Sequence, residues 1–95
     1  MKLLVVIYDS GIEESVNEIL EELKLPGYTK LFGAHGFGGQ GLKLGDVVWP
    51  GANNVLYAAL EEDQISPLVE RLRKLQTGFR LKPGVTILAL PAEVL

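Results

Sequence analysis

Cysteine is absent from the chain, which excludes a disulfide scaffold, a thiolate metal site and a cysteine nucleophile and fits a reducing compartment. Histidine occurs once, at His35, so one chain cannot assemble an imidazole-rich metal site by itself. No run of residues approaches the length of a membrane-spanning helix. The apolar opening from Met1 to Ile7 is short, Asp9 follows at once, and no small-residue cleavage site is present, so no signal peptide is expected. Basic charge is not in excess either. A net charge of −3 argues against a general nucleic-acid binder. Together these absences predict a cytoplasmic protein without direct membrane insertion.

What is present fits one domain spanning residues 1–95. Lys2 to Tyr8 reads as a strand. Ser10-Gly11-Ile12-Glu13 reads as a capping box, with Ile12, Val16, Ile19, Leu20 and Leu23 following at helical spacing until Pro26-Gly27 stops the helix. Tyr28 to Ala34 and Asn54 to Leu60 read as strands. Asp63 can cap a second helix that carries Ile65, Leu68, Val69, Leu72 and Leu75 on one face, with Pro67 in its first turn and Gly78 at its end. Val85 to Leu90 reads as the last strand. The order is βαββαβ, which predicts an α+β, ferredoxin-like fold: a four-stranded antiparallel sheet with two helices on one face.

The strands are apolar on both faces. Leu3, Val5 and Ile7 oppose Leu4, Val6 and Tyr8; Val55, Tyr57 and Ala59 oppose Leu56, Ala58 and Leu60. Such strands belong to a sheet covered on both sides, and two helices cover only one. The second apolar face exceeds what a soluble monomer tolerates, so a partner chain is expected there, most simply an identical one.

Seven of the eleven glycines lie between Gly33 and Gly51, where uniform scatter would place about two. Glycine lets a ligand approach the backbone closely. The core, Gly36-Phe37-Gly38-Gly39-Gln40-Gly41, matches G-x-G-x-x-G, but it opens no helix and no G-K-[ST] follows, so neither a dinucleotide fingerprint nor a P-loop is present. Three readings of the glycine-rich loop, about 36–51, stay open: a mobile structural loop, an anion- or nucleotide-contacting loop, and a partner-docking loop. Trp49, the only tryptophan, is either packed on a neighbouring subunit or a recognition hot spot. Acids gather early, from Glu13 to Glu22, and five of nine basic residues gather late, from Arg71 to Lys82. Most of these read as solvated helix faces; Arg80 and Lys82 lie in a loop.

Three segments carry a resemblance to the PII-like superfamily, trimeric ferredoxin-like proteins that include the nitrogen-regulatory signal transducers. Gly27-Tyr28-Thr29 leading into Gly36-Phe37-Gly38-Gly39-Gln40 is similar to the family's G-x-T and G-x-G-x-Q loop base. Thr77-Gly78 followed by Arg80 to Lys82 resembles its second, basic ligand loop, and Leu90-Pro91-Ala92-Glu93-Val94 its terminal proline-acidic-valine stretch. The resemblance implies a homotrimer with an adenine nucleotide such as ATP or ADP in intersubunit clefts. Gly36, Phe37, Gly38 and Gln40 would line the cleft and Arg80 and Lys82 would face phosphates, chemistry that suits guanidinium and ammonium groups. It also implies a regulated partner, a transporter or an enzyme, contacted through the loop and Trp49. The loop has no tyrosine for nucleotidylation, and the lysine that helps hold 2-oxoglutarate has no evident match beyond Gly51, so neither is expected.

Other chemistry is sparse. His35 with Asp46 is a candidate metal pair, the alternative suggested by the CutA-type trimers that share the fold; a ligand-free interaction module is a third possibility. Ser10 has no base partner at a motif spacing. Acylphosphatases share the topology, but Tyr8-Asp9-Ser10-Gly11 is acidic where they carry a basic loop and would repel phosphate. No enzyme activity is expected.

Overall fold

The computed structural model describes residues 1–38, 41–42 and 52–95. The elements run β1 (Lys2–Asp9), a 3₁₀ turn (Ser10–Ile12), α1 (Glu13–Leu23), β2 (Thr29–Ala34), β3 (Phe37–Gly38), β4 (Gly41–Leu42), β5 (Asn53–Leu60), α2 (Glu62–Thr77) and β6 (Val85–Pro91). Four strands form one sheet in the order β2-β5-β1-β6, with every neighbouring pair antiparallel. This is the α+β, ferredoxin-like βαββαβ arrangement expected from the element order. The glycine-rich segment is not loop throughout: β3 and β4 pair, Phe37 with Leu42 and Gly38 with Gly41.

Period-two alternation sets the two faces of the sheet. Leu4, Val6, Tyr8, Leu56, Ala58, Leu60 and Val85 are buried against Val16, Ile19 and Leu20 of α1 and Leu68 and Leu72 of α2. Each fully buried leucine here contributes about 1.5–3 kcal/mol over an exposed one. The register places Leu3 opposite Ala59 and Leu90, Val5 opposite Tyr57 and Leu88, and Ile7 opposite Val55 and Thr86. Among the described residues no helix covers that second face. Leu31, Leu88 and Leu90 are 53%, 48% and 45% exposed on it.

Both helix starts differ from expectation. Ser10 is not a helix cap; its N–H donates to Ala52 O at 3.0 Å within the 3₁₀ turn. Glu13, expected to turn back onto the Ser10 backbone, is drawn instead to donors on three strands. α2 starts two residues earlier than a cap at Asp63 would allow. Glu61 is its N-cap, and Gln64 Oε1 accepts from Glu61 N at 3.0 Å. Pro67 therefore stands in the second turn, not the first. At the other end of α1, Lys24 adopts the left-handed conformation (φ 51°) and its N–H returns to Glu21 O at 3.2 Å, the geometry that closes helices at this position. The strand β2 is irregular between Leu31 and Ala34, where Gly33 takes φ +74°, a value that side-chain-bearing residues adopt only at a cost.

Candidate ligand-binding site

One end of the sheet gathers the predicted site. Asp9 ends β1 opposite Asn53, Asn53 pairs with Ala34 at the end of β2, and Tyr8 pairs with Val85 at the start of β6. Gly36 follows β2 by two residues. Among the described residues, a Cβ built on it would meet only Asn53 Nδ2, at 3.7 Å, which is ordinary contact, so none of them demands glycine there. Phe37 and Gly38 form β3 just beyond.

Arg80 and Lys82 lie at this same end, immediately before β6, but at the other edge. Three inter-strand spacings separate β2 from β6, about 14 Å. Both side chains are exposed, and among the described residues neither has an ion pair. Leu81 between them is 55% exposed. The exit of this loop, in contrast, is held closely. Pro83 is fully buried. Gln76 Nε2 donates to Pro83 O at 3.0 Å and Arg73 Nη1 donates to Val85 O at 3.0 Å. Asp9 N donates to Gly84 O at 3.1 Å, and the Gly84 N–H donates to the Asp9 carboxylate. Asp9 is 2% exposed. The carboxylate of the acidic Tyr8–Gly11 stretch is thus buried, and one of its oxygens accepts from the backbone at the exit of the basic loop.

A second polar cluster lies on the helix face of the sheet, one residue in from this end. Glu13 accepts from Tyr8 Oη at 2.5 Å, Lys30 Nζ at 2.6 Å and Asn54 Nδ2 at 3.0 Å, and Lys30 also donates to Asn17 Oδ1. Lys30 Nζ sits 5.5 Å from the centre of the Tyr28 ring. Burial pushes the Glu13 carboxyl up, but the hydrogen bonds from Lys30, Tyr8 and Asn54 and the Lys30 charge outweigh it and hold the group below its ordinary range. Burial, then the hydrogen bond to Glu13, pushes the Tyr8 phenol far above its usual value. Its hydrogen bonds among the described residues all run between its own members. Lys30 and Asn54 were readable as anomalies, since alternation puts both on the core face of their strands.

The structure therefore brings Gly36, Phe37 and Gly38 to one edge and Arg80 and Lys82 to the other edge of the same sheet end. Gln40, Asp46 and Trp49 lie outside the described residues. His35 is exposed, and among the described residues no group of three or more histidine or acidic side chains could hold a metal.

No protein-family model and no curated protein matches the sequence. Solved structures do. CPII, a nitrogen regulatory PII-like protein from Thiomonas intermedia K12 solved with ADP, AMP and bicarbonate, superposes with a TM-score of 0.71 at 22% identity, over 94% of this chain and 84% of that one. The chain has the PII-like fold. A PII-like signaling protein from Thermus thermophilus matches at a TM-score of 0.59 and 19% identity, again over 94% and 84% of the two chains. Within this fold the open sheet face, the Gly36–Gly38 edge and the basic loop all belong to the surface of one chain. No helix among the described residues is long and apolar enough to cross a membrane.

Proposed function

We propose that the protein is a PII-like sensor whose ligand is an adenine nucleotide, bound between the Gly36–Gln40 segment of one copy and the Arg80–Lys82 loop of its neighbour in a homotrimer. The observation that supports this reading is the placement of Gly36–Gly38, the described part of the first segment, and of the basic loop. They share one end of the sheet but stand on opposite edges, so a ligand is held closely by both where the β2 edge of one copy meets the β6 edge of another. The uncovered apolar face supplies a reason for copies to associate. Two exposed cations flanking Leu81, with no ion pair among the described residues, suit a ligand with phosphates and an apolar ring, and no described residue crowds Gly36 against its close approach. CPII, of the same fold, was solved with ADP and AMP. A regulated partner, a transporter or an enzyme, reads the liganded state through the glycine-rich loop and Trp49.

Calorimetric titration with ADP, AMP and ATP tests the reading. The expected result is saturable binding that Arg80→Ala weakens about tenfold, the loss of one charge-assisted hydrogen bond. Absence of heat with all three nucleotides, in protein that is folded and oligomeric, would mean that this fold is present without the nucleotide site.

A further inference from the structure

The exit of the basic loop is more constrained than its length requires. Three consecutive residues, Pro83, Gly84 and Val85, are each held by a side chain from another element: Gln76 on the Pro83 carbonyl, Asp9 on the Gly84 N–H, Arg73 on the Val85 carbonyl. Of the three, only Asp9 comes from the sheet, and only Asp9 is buried. Its backbone N–H and its carboxylate grip opposite sides of the same residue, since Asp9 N also donates to Gly84 O. Burying a carboxylate is expensive unless hydrogen bonds repay it, so a buried aspartate whose acceptor is turned to a loop backbone fixes that backbone in return. Lys82 is two residues from Gly84, and Arg80 is four. Freedom at Gly84 would be felt directly at both cations, because glycine imposes no torsional limit of its own.

We infer that Asp9 is a positioning residue for the candidate site. Through Gly84 its carboxylate fixes the exit of the Arg80–Lys82 loop, so that the two cations are pre-aimed and the ordering cost of ligand binding is already met in the free protein. Asp9 touches no ligand; it acts through the loop. This inference rests on the proposed nucleotide site and assigns a role that the acidic character of Asp9 would not suggest.

The test is ADP titration of the full chain carrying Asp9→Ala, Asp9→Asn, Gln76→Ala, and Asp9→Ala combined with Arg80→Ala, together with amide hydrogen exchange at Gly84 in each unliganded protein. Asp9→Ala is expected to weaken ADP binding about tenfold and to speed Gly84 exchange. Asp9→Asn keeps an oxygen acceptor and is expected to restore both to within about threefold. Gln76→Ala, a half-buried side chain whose loss the fold tolerates, is expected to weaken binding in the same direction if Asp9→Ala proves too unstable to titrate. In the Arg80→Ala background, Asp9→Ala is expected to cost far less than in the wild type, because the cation it aims has gone. ADP affinity unchanged in Asp9→Ala, or a loss fully additive with Arg80→Ala, would overturn the positioning role while leaving the nucleotide site standing. If wild-type protein bound no ADP, the site reading and the role built on it would both fall; Gly84 exchange would then show whether the clamp itself is real.

Discussion

Glu13 draws one hydrogen bond from each of three strands, through Tyr8 of β1, Lys30 of β2 and Asn54 of β5, while its own backbone begins α1. The Lys30 side chain is 8% exposed, so the nearest counter-charge of its ammonium matters. Glu13→Ala leaves that ammonium buried without its carboxylate and two further donors unsatisfied; it is expected to cost about 2–4 kcal/mol in urea unfolding at pH 7. The pH dependence follows from the depressed carboxyl. A group held below its unfolded value stabilises the fold above about pH 4.5, and that contribution disappears as pH falls through the folded value. Wild-type stability should therefore approach that of Glu13→Gln when unfolding is followed from pH 5 down to pH 3. A gap that stayed constant across that range would show that the Glu13 charge is not what the network stabilises.

At the scale of elements, Pro67 is the feature that the helix α2 would be better without. Helix interiors disfavour proline because the N–H is missing and the ring crowds the preceding turn. At the sixth position of α2, Pro67 removes the bond that would return to the Asp63 carbonyl. Pro67→Ala is expected to raise stability by about 1 kcal/mol or more, the unfolded chain's gain in freedom offsetting part of the roughly 3 kcal/mol difference in helix preference. Unchanged or lowered thermal stability would mean that the proline shapes a bend the packing needs. Pro67 also shows where the sequence is silent. The strands were legible because alternation is a local property: Leu3 through Tyr8 declare two faces without reference to anything else. The helix starts were not. Ser10-Gly11-Ile12-Glu13 fits a capping box as well as many true ones, and only the donors of Tyr8, Lys30 and Asn54 decide that Glu13 looks elsewhere. Asp63 lost its role as a cap to Glu61 and Gln64, a pair with equal local claims. The candidate site divides in the same way. Topology alone puts Gly36 and Arg80 at one sheet end, whereas the partner of Asp9 stands seventy-five residues away.

For the molecule as a whole, the open sheet face decides what the protein is in solution. Val5, Tyr57 and Leu88 lie side by side across β1, β5 and β6 with no helix among the described residues over them, and Leu88 is 48% exposed. In the proposed trimer this face is buried against neighbouring copies, and an acidic side chain introduced there would have to give up its hydration without a partner, a penalty of several kcal/mol at each copy. In an isolated chain the same side chain stands on an edge strand in water and costs the fold little. Leu88→Glu separates the two situations cleanly. Wild-type protein at about 10 µM is expected to scatter light as about 31 kDa, three times the 10.4 kDa chain, and Leu88→Glu as a single chain with an unchanged far-ultraviolet spectrum. Because the proposed cleft needs the β2 edge of one copy and the β6 edge of the next, the same substitution should abolish ADP binding although no residue of the cleft has been altered. A wild-type protein that scattered as one chain would remove the trimer and the shared cleft together. Full ADP affinity in monomeric Leu88→Glu would instead place the site within one chain.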